Sequence, residues 1–348
     1  MVEIPAEVRA SRVELQCNES VASAIAGIGR TEDIRFSPNN NCLAIAGFAK
    51  NKLLCLKVEI QADARGPSVS AHSFMEITSD GIEDAHGLDF IDDKTLAVAN
   101  RNADVAIVRL PELWNENCHG TAKVLRRISG PRWRRISSPG SLVVTHSPFA
   151  QLRLLVCNNY ARRVTEHMVS PLLGYISWKN RPLLREGLHI PDGIAVSPDG
   201  RWIAVSSHGT NDVKIFDGST RLDKRAKPAA VLMNAGYPHG LRFTKDGQFI
   251  IVADAGRPTV NVYRGRDGWT GEYPPLKTIT VLDEETYLRG RNNPLEGGPK
   301  GLDIDKSGRV LAITCEEEPL ALFSLQCVLA GSVTSPATPA VIGAALRD

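Results

Sequence analysis

The sequence predicts an all-β fold: a six-bladed β-propeller of four-stranded antiparallel blades, its ring closed by a strand from the N-terminal segment. Three observations predict it. One motif recurs at blade-like spacing, each copy alternates apolar and polar residues between turn signals, and no convincing amphipathic helix interrupts the copies.

The clearest copies start at Pro191 (PDGIAVSPDGRWIAVSSHGTNDVKIFD) and Pro238 (PHGLRFTKDGQFIIVADAGRPTVNVY), with weaker ones at Thr31, Ala85 and Pro299. Aligned on the residue before the recurrent Gly, they put Glu32, His86, Asp192, His239 and Lys300 in one column, with gaps of 54, 106, 47 and 61 residues. The gap of 106 holds two units, so a degenerate copy from about Ser141 fills it and places Leu142 in the column. Six blades result.

Within a copy, Ile194 and Val196 alternate, Ser197-Pro198-Asp199-Gly200 turns the chain, and apolar runs follow at Ile203–Val205 and Val213–Phe216. Outer strands fit Val69–Ile77, Ala122–Leu125, Ala229–Leu232 and Leu276–Ile279, whereas the last blade lacks one after Leu325. The segment Val13–Ile25 is expected to supply it, because closure from the other terminus removes an exposed sheet edge. Residues 1–327 thus read as one propeller domain, and 328–348, rich in Ala, Ser, Thr, Pro and Gly, as a C-terminal extension.

Composition narrows the function classes. Apolar residues make up 43% of the chain and the formal charge is only +2, so no whole-protein field selects nucleic acid or a membrane surface. No apolar run approaches the length of a bilayer span, and the charged start from Met1 to Leu15 does not read as a signal peptide. The seven cysteines are odd in number, lack a CxxC pair and mostly sit in apolar runs, which predicts reduced thiols and a cytoplasmic protein. No serine-hydrolase elbow, phosphate-binding Gly loop or dinucleotide fingerprint occurs. Oligomeric state is not legible.

First strands line a propeller's axis, so the column converges at one channel mouth: Glu32, His86, Leu142, Asp192, His239 and Lys300. The ends of the second strands lie beside it and add Gly47, Asn100, Asn158, Ser207, Asp254 and Cys315. Carboxylates, imidazoles and amides so gathered suit a divalent metal, whether calcium, manganese, zinc or iron. The competing reading is that His, Asp and Asn at blade starts satisfy backbone amides.

The Pro-Asp-Gly and Pro-His-Gly starts, with Ser-Pro-Asp-Gly and Lys-Asp-Gly turns, resemble the six-bladed superfamily of gluconolactonases (senescence marker protein), NHL-repeat and YVTN-type propellers. The resemblance spans about residues 31–325. In its gluconolactonase branch a Glu, an Asn and an Asp from blade starts bind a metal that polarises a lactone carbonyl; the matching positions here are Glu32, Asp192 and His239. The family's Glu-Gly-Pro is broken, since Asp33-Ile34 follows Glu32. Some NHL-type lyases hold zinc through histidines of several blades, which His86 and His239 resemble.

The expectation is therefore a metal-assisted hydrolase, lactonase-like, or a lyase acting on a small polar or anionic molecule. Glu32, Asp192, His239 and His86 are the candidate metal ligands, and His86, Asp254 and Lys300 the candidate catalytic groups, Lys300 against developing negative charge. Asn100, Asn158 and Ser207 are candidate substrate contacts. Arg132 and Arg134, in the basic run from Arg126 to Arg135 around Trp133, are candidates for clamping an anion, with a solvated basic loop as the plainer reading. The loop from Glu284 to Pro299 is long enough for a lid, and His208 opens a loop on the same face. The alternative is a non-catalytic propeller that binds a protein or small molecule through its loops, including one that has lost its chemistry.

Overall fold

A computed structural model describes residues 8–112, 116–129, 136–147, 151–265 and 268–330. Six sheets succeed one another in chain order. Blade 1 runs Thr31–Phe36, Cys42–Gly47, Lys52–Asp63 and Gly66–Thr78; blade 2 Ala85–Asp92, Thr95–Asn100, Val105–Arg109 and Lys123–Ile128. Blade 3 comprises Pro139–Ser147, Gln151–Asn158, Arg163–Ser170 and Ile176–Leu184; blade 4 Pro191–Val196, Trp202–Ser207, Asp212–Asp217 and Ala230–Leu232. Blade 5 has Pro238–Phe243, Phe249–Asp254, Thr259–Arg264 and Lys277–Thr280, and blade 6 three strands, Pro299–Ile304, Val310–Cys315 and Ala321–Ser324.

Because strand side chains alternate between the two faces of a sheet, each blade offers one apolar set to either neighbour. Six buried clusters result, one per seam. The seam between blades 6 and 1 joins Val310, Ala312 and Leu322 to Ile34, Leu43 and Ile45. At roughly 1.5–3 kcal/mol for each fully buried Val, Leu or Ile, it holds the ring shut as the other five seams do.

The N-terminal segment closes the ring, earlier in the chain than expected. Arg12 bridges Phe323, Val13 N–H donates to Leu322 O at 2.8 Å and Ser324 N–H to Ser11 O at 3.3 Å. Beyond it, Leu15–Cys17 joins blade 1 instead, parallel to Gly66–Thr78. Glu19–Gly27 is then an α-helix capped by Asn18, whose side chain accepts from Val21 N–H at 3.0 Å. Two six-residue helices, Glu284–Arg289 and Leu325–Ala330, also correct the expectation of no helix. The first helix buries only Val21 and Ala24, too few positions to print a 3.6-residue period. Val328 in the last helix is buried against blades 5 and 6. No helix among the described residues is long and apolar enough to cross a membrane.

The recurrent Gly after the column has a steric cause. A Cβ on Gly193 would lie 2.1 Å from His239 O, so adjacent inner strands meet backbone to backbone at the mouth.

Candidate functional site

Cross-strand register fixes the channel mouth. Thr31 faces Gly47, Ala85 faces Asn100, Pro139 faces Asn158, Pro191 faces Ser207, Pro238 faces Asp254 and Pro299 faces Cys315. In all six blades the ladder breaks after this pair, leaving the next residue in a bulge. A bulge frees a side chain from the pleat and re-aims it. The residues so released are Glu32, His86, Gly140, Asp192, His239 and Lys300.

Gly140, not Leu142, therefore holds blade 3's place. Leu142 pairs with Val156 and is fully buried among apolar side chains. Glycine is required there: a Cβ would sit 2.3 Å from Asp192 Oδ1 and 2.4 Å from Asn159 Oδ1. The Gly140 carbonyl receives His86 Nδ1–H at 2.7 Å. Since a carbonyl only accepts, the proton of neutral His86 is on Nδ1 and its Nε2 lone pair is free.

The second expected ring faces elsewhere. Asn100 accepts from Glu83 N–H and donates to Gly81 O; Asn158 accepts from Ser137 N–H and donates to Val156 O; Ser207 exchanges two bonds with the His189 backbone. All three are fully buried. They brace the loops entering their blades, so the substrate contacts expected of them are corrected to backbone satisfaction. Asp254 stands apart from the two clusters below: Oδ1 accepts from Tyr237 and Gly256 N–H, while Oδ2, beneath Gly236, is buried without a partner.

One residue later the side chains turn inward, as a one-residue step changes face. This ring is Phe48, Arg101, Asn159, His208, Ala255 and Glu316, of which the sequence singles out only His208. The signal for the rest is the same alignment displaced by one.

The two inward rings build two connected clusters. In the first, Asp192 is the hub. Its Oδ1 accepts from Asn159 Nδ2 at 2.7 Å, and its Oδ2 lies 2.9 Å from His239 Nδ1 and 3.6 Å from His208 Nε2. One ligand atom from each of Asp192, His208 and His239 fits within 4.8 Å, and all three residues are buried. Burial alone would raise the Asp192 carboxyl, but His239, His86 and His208 outweigh it and hold it well below the usual carboxylate range. Burial drives His208 down to about 3, whereas at His239 the Asp192 carboxylate outweighs burial and raises the imidazole. His208 lies against Tyr237 and His239, with ring centroids 4.2 and 4.8 Å away, and its Nε2 is buried without a hydrogen-bond partner. A neutral imidazole with an unused nitrogen beside a charged carboxylate is the donor chemistry of a transition-metal or zinc site.

The second cluster surrounds Glu32. Its Oε1 takes Lys300 Nζ at 2.9 Å and Arg30 Nε at 2.6 Å, while Oε2 lies 3.6 Å from His86 Nε2. Burial would raise this carboxyl, yet Lys300, then His86 and Arg30, hold it well below its ordinary value. Lys300, only 1% exposed, also meets Glu296 Oε2 at 3.1 Å and Glu316 Oε2 at 3.2 Å. Its three hydrogens are thus committed to three carboxylates, which corrects the expected role against developing charge: Lys300 is the buried counter-charge that, with Arg30, holds this cluster together. Glu32 Oε1 is thus held by two cations that Glu296 and Glu316 share, while Oε2 is buried without a hydrogen-bond partner and faces only His86. Of the four expected ligands, Asp192 and His239 meet with His208, while Glu32 and His86 form the adjoining pair.

Arg101 Nη1 lies 3.7 Å from Asp192 Oδ1, buried and without a hydrogen bond, and its guanidinium sits over Tyr160. Arg132 and Arg134 lie outside the described residues. The expected lid loop contributes the Glu284–Arg289 helix, Tyr287 OH donating to Gly256 O at 2.8 Å, and Glu296 at the second cluster.

Comparison with solved structures gives the same architecture over nearly the whole chain. A gluconolactonase from Xanthomonas campestris superposes with a TM-score of 0.55 at 14% identity, covering 92% of this chain and 95% of its own. A periplasmic gluconolactonase from Pseudomonas aeruginosa gives 0.53 at 15%, covering 84% and 80%. Regucalcin from Agrobacterium tumefaciens, a calcium-binding protein, gives 0.52 at 12%, covering 90% and 95%. The chain has the fold of the gluconolactonase-type propellers. A family described as "Lactonase, 7-bladed beta-propeller" matches residues 186–289, which span blade 4 and most of blade 5 and contain Asp192, His208 and His239. No curated protein matches the chain in sequence. Within a gluconolactonase-type ring, the departures expected from the sequence take physical form: a histidine stands where the resemblance implies a carboxylate, and the blade 1 glutamate is tied to a lysine.

Proposed function

We propose that the chain is a metal-assisted, lactonase-like hydrolase acting on a small polar or anionic molecule at this mouth. The observation that carries the reading is the buried, unpartnered Nε2 of His208, 3.6 Å from Asp192 Oδ2. Asp192, His208 and His239 would hold a divalent ion, and two imidazoles with one carboxylate favour zinc, iron or manganese over calcium. Such an ion, when bound, polarises a carbonyl oxygen and eases deprotonation of water.

The remaining roles belong to the chain. His86 presents Nε2 as general base, its orientation fixed by the bond from Nδ1 to Gly140 O. Burial, then the nearby Arg101, lower its pKa, so it is neutral and ready to accept at pH 7. Glu32 Oε2 faces that nitrogen and stabilises the imidazolium that forms. Water adds to the lactone carbonyl carbon, the ring C–O bond breaks, and His86 passes the proton to the departing alkoxide, giving a hydroxy acid. Arg101 would pair with a substrate carboxylate or phosphate. The seven free cysteines support a reducing compartment, and we place the protein in the cytoplasm.

The test is hydrolysis of glucono-1,5-lactone by protein purified without added metal, before and after chelation and with zinc or manganese restored, beside His86→Gln. Activity lost on chelation, recovered with metal and reduced at least about 100-fold in the variant is expected. Unchanged activity after chelation would remove the metal from the account, and no hydrolysis of any lactone or ester in any metal form would leave a non-catalytic binding propeller as the better one.

A further inference from the structure

On the flank of the ring, far around the blades from the axis, strands of blade 3 and the loop after Asp212–Asp217 enclose a cleft of about 460 Å³. Its polar lining is cationic: Arg153, Lys179, Arg181 and Arg221, with the Gly218 backbone and Thr220. Among the described residues, Glu166 is the one carboxylate paired with these four. It accepts Arg153 Nε at 2.7 Å on one oxygen and Arg181 Nε at 2.6 Å on the other. Four positive charges against one negative leave a local excess of three, in a chain whose whole formal charge is +2. Of the other acids close in sequence, Asp223 is followed by Lys224 and Arg225 and Glu186 preceded by Arg185, so neither reverses the excess. Asp217 binds Arg201 at 3.0 Å and Ser219, and Asp223 accepts from Arg225 N–H at 2.8 Å.

The arrangement is built. Glu166 holds both guanidinium groups by their Nε atoms, and Arg181 Nη1 donates to Leu222 O at 2.9 Å, tying blade 3 to blade 4. Both Nη groups of Arg153 and Nη2 of Arg181 remain without a partner among the described residues. Lys179 and Arg221 are exposed and make no ion pair among the described residues. A planar guanidinium fixed at one edge offers its other edge to a tetrahedral or planar anion at little entropic cost.

We infer that this cleft between blades 3 and 4 is a second binding site, separate from the channel mouth, for a small phosphate-bearing molecule. Three uncompensated charges suit a di- or trianion better than a carboxylate, and the volume admits a pyrophosphate or a phosphate monoester. The site is independent of the metal centre and of the proposed hydrolysis.

Calorimetric titration of the full chain at low salt with pyrophosphate and, separately, with glycerol 2-phosphate tests it; the two arms distinguish a polyphosphate from a monoester. Saturable binding of at least one, tighter than about 1 mM, is expected. It should weaken at least about tenfold in Lys179→Ala/Arg221→Gln, a variant that leaves the Arg153–Glu166–Arg181 triad intact and melts within about 2 °C of the parent. Arg153→Gln, with the fold checked by circular dichroism, is expected to weaken it likewise. No saturable binding of either probe, or equal binding by the double variant, would overturn the inference.

Discussion

Replacing Lys300 by Met keeps the shape of a buried side chain while deleting its charge, and the surrounding carboxylates set the size of the loss. Lys300 Nζ meets carboxylate oxygens of Glu32, Glu296 and Glu316 at 2.9, 3.1 and 3.2 Å. Without it, Arg30 alone faces three carboxylates, 2.6 Å from Glu32 and 3.4 Å from Glu316. At an effective dielectric of ~20, each pair near 3 Å attracts by about 5 kcal/mol, and much of this offsets the cost of burying the ammonium. Breaking such a cluster on one side costs about 3–5 kcal/mol. For roughly 320 residues unfolding with about 0.7 kcal/mol/K of entropy, that is a fall in Tm of about 4–7 °C. The loss depends on pH. In the parent, Glu32 sits below its ordinary value, so its contribution is present above about pH 4.3 and is lost only in strong acid. In the variant the Glu32 carboxyl loses the largest of the neighbours that lower it, keeping only His86 and Arg30, so the folded state takes up its proton at higher pH than the parent does. The gap between the two proteins therefore narrows from pH 7 towards pH 4. Urea unfolding at both pH values measures it. A gap under about 1 kcal/mol at pH 7, or one that does not change with pH, would refute the reasoning.

Two further substitutions probe the frame. Asp89, pushed up to about 6 chiefly by burial, accepts Val144 N–H from the next blade at 2.7 Å. A raised carboxyl favours the folded state most below its unfolded value, so stability declines between about pH 4 and 6; Asp89→Asn should remove up to about 3 kcal/mol of that decline, and urea unfolding curves of equal pH slope in both proteins would contradict it. Gly193→Ala sets a Cβ against His239 O at 2.1 Å and should cost about 3 kcal/mol, the upper end for overpacking because the neighbour is backbone, with loss of metal binding because the two blades part at Asp192; a variant of parental Tm would show that this contact relaxes freely.

The architecture was legible because each blade repeats one steric problem. Its first strand must approach the next blade's backbone, hence the Gly after the column, and its hairpin must turn, hence Asp-Gly or its like. Blade 3 breaks the alignment since Pro139-Gly140-Ser141 moves the glycine one place, into the column, where Asp192 and Asn159 need the space. Aligning by apolar pattern instead chooses Leu142. The second ring is displaced by a single residue: which of Ser207 and His208 faces the channel depends on where the pleat ends, and a repeat alignment does not carry that. Helix Glu19–Gly27 escapes detection for want of length. That Lys300 is saturated by three carboxylates could not be read either, because Glu296 comes from an irregular loop and Glu316 from the ring displaced by one.

Metal occupancy tests the central claim most directly. Zinc or manganese binding, measured by calorimetry on chelated protein and by metal analysis of protein as purified, should show one ion per chain in the parent and in Glu32→Gln. His208→Ala should bind at least about tenfold more weakly. Occupancy lost in Glu32→Gln and kept in His208→Ala would contradict a centre built on Asp192, His208 and His239.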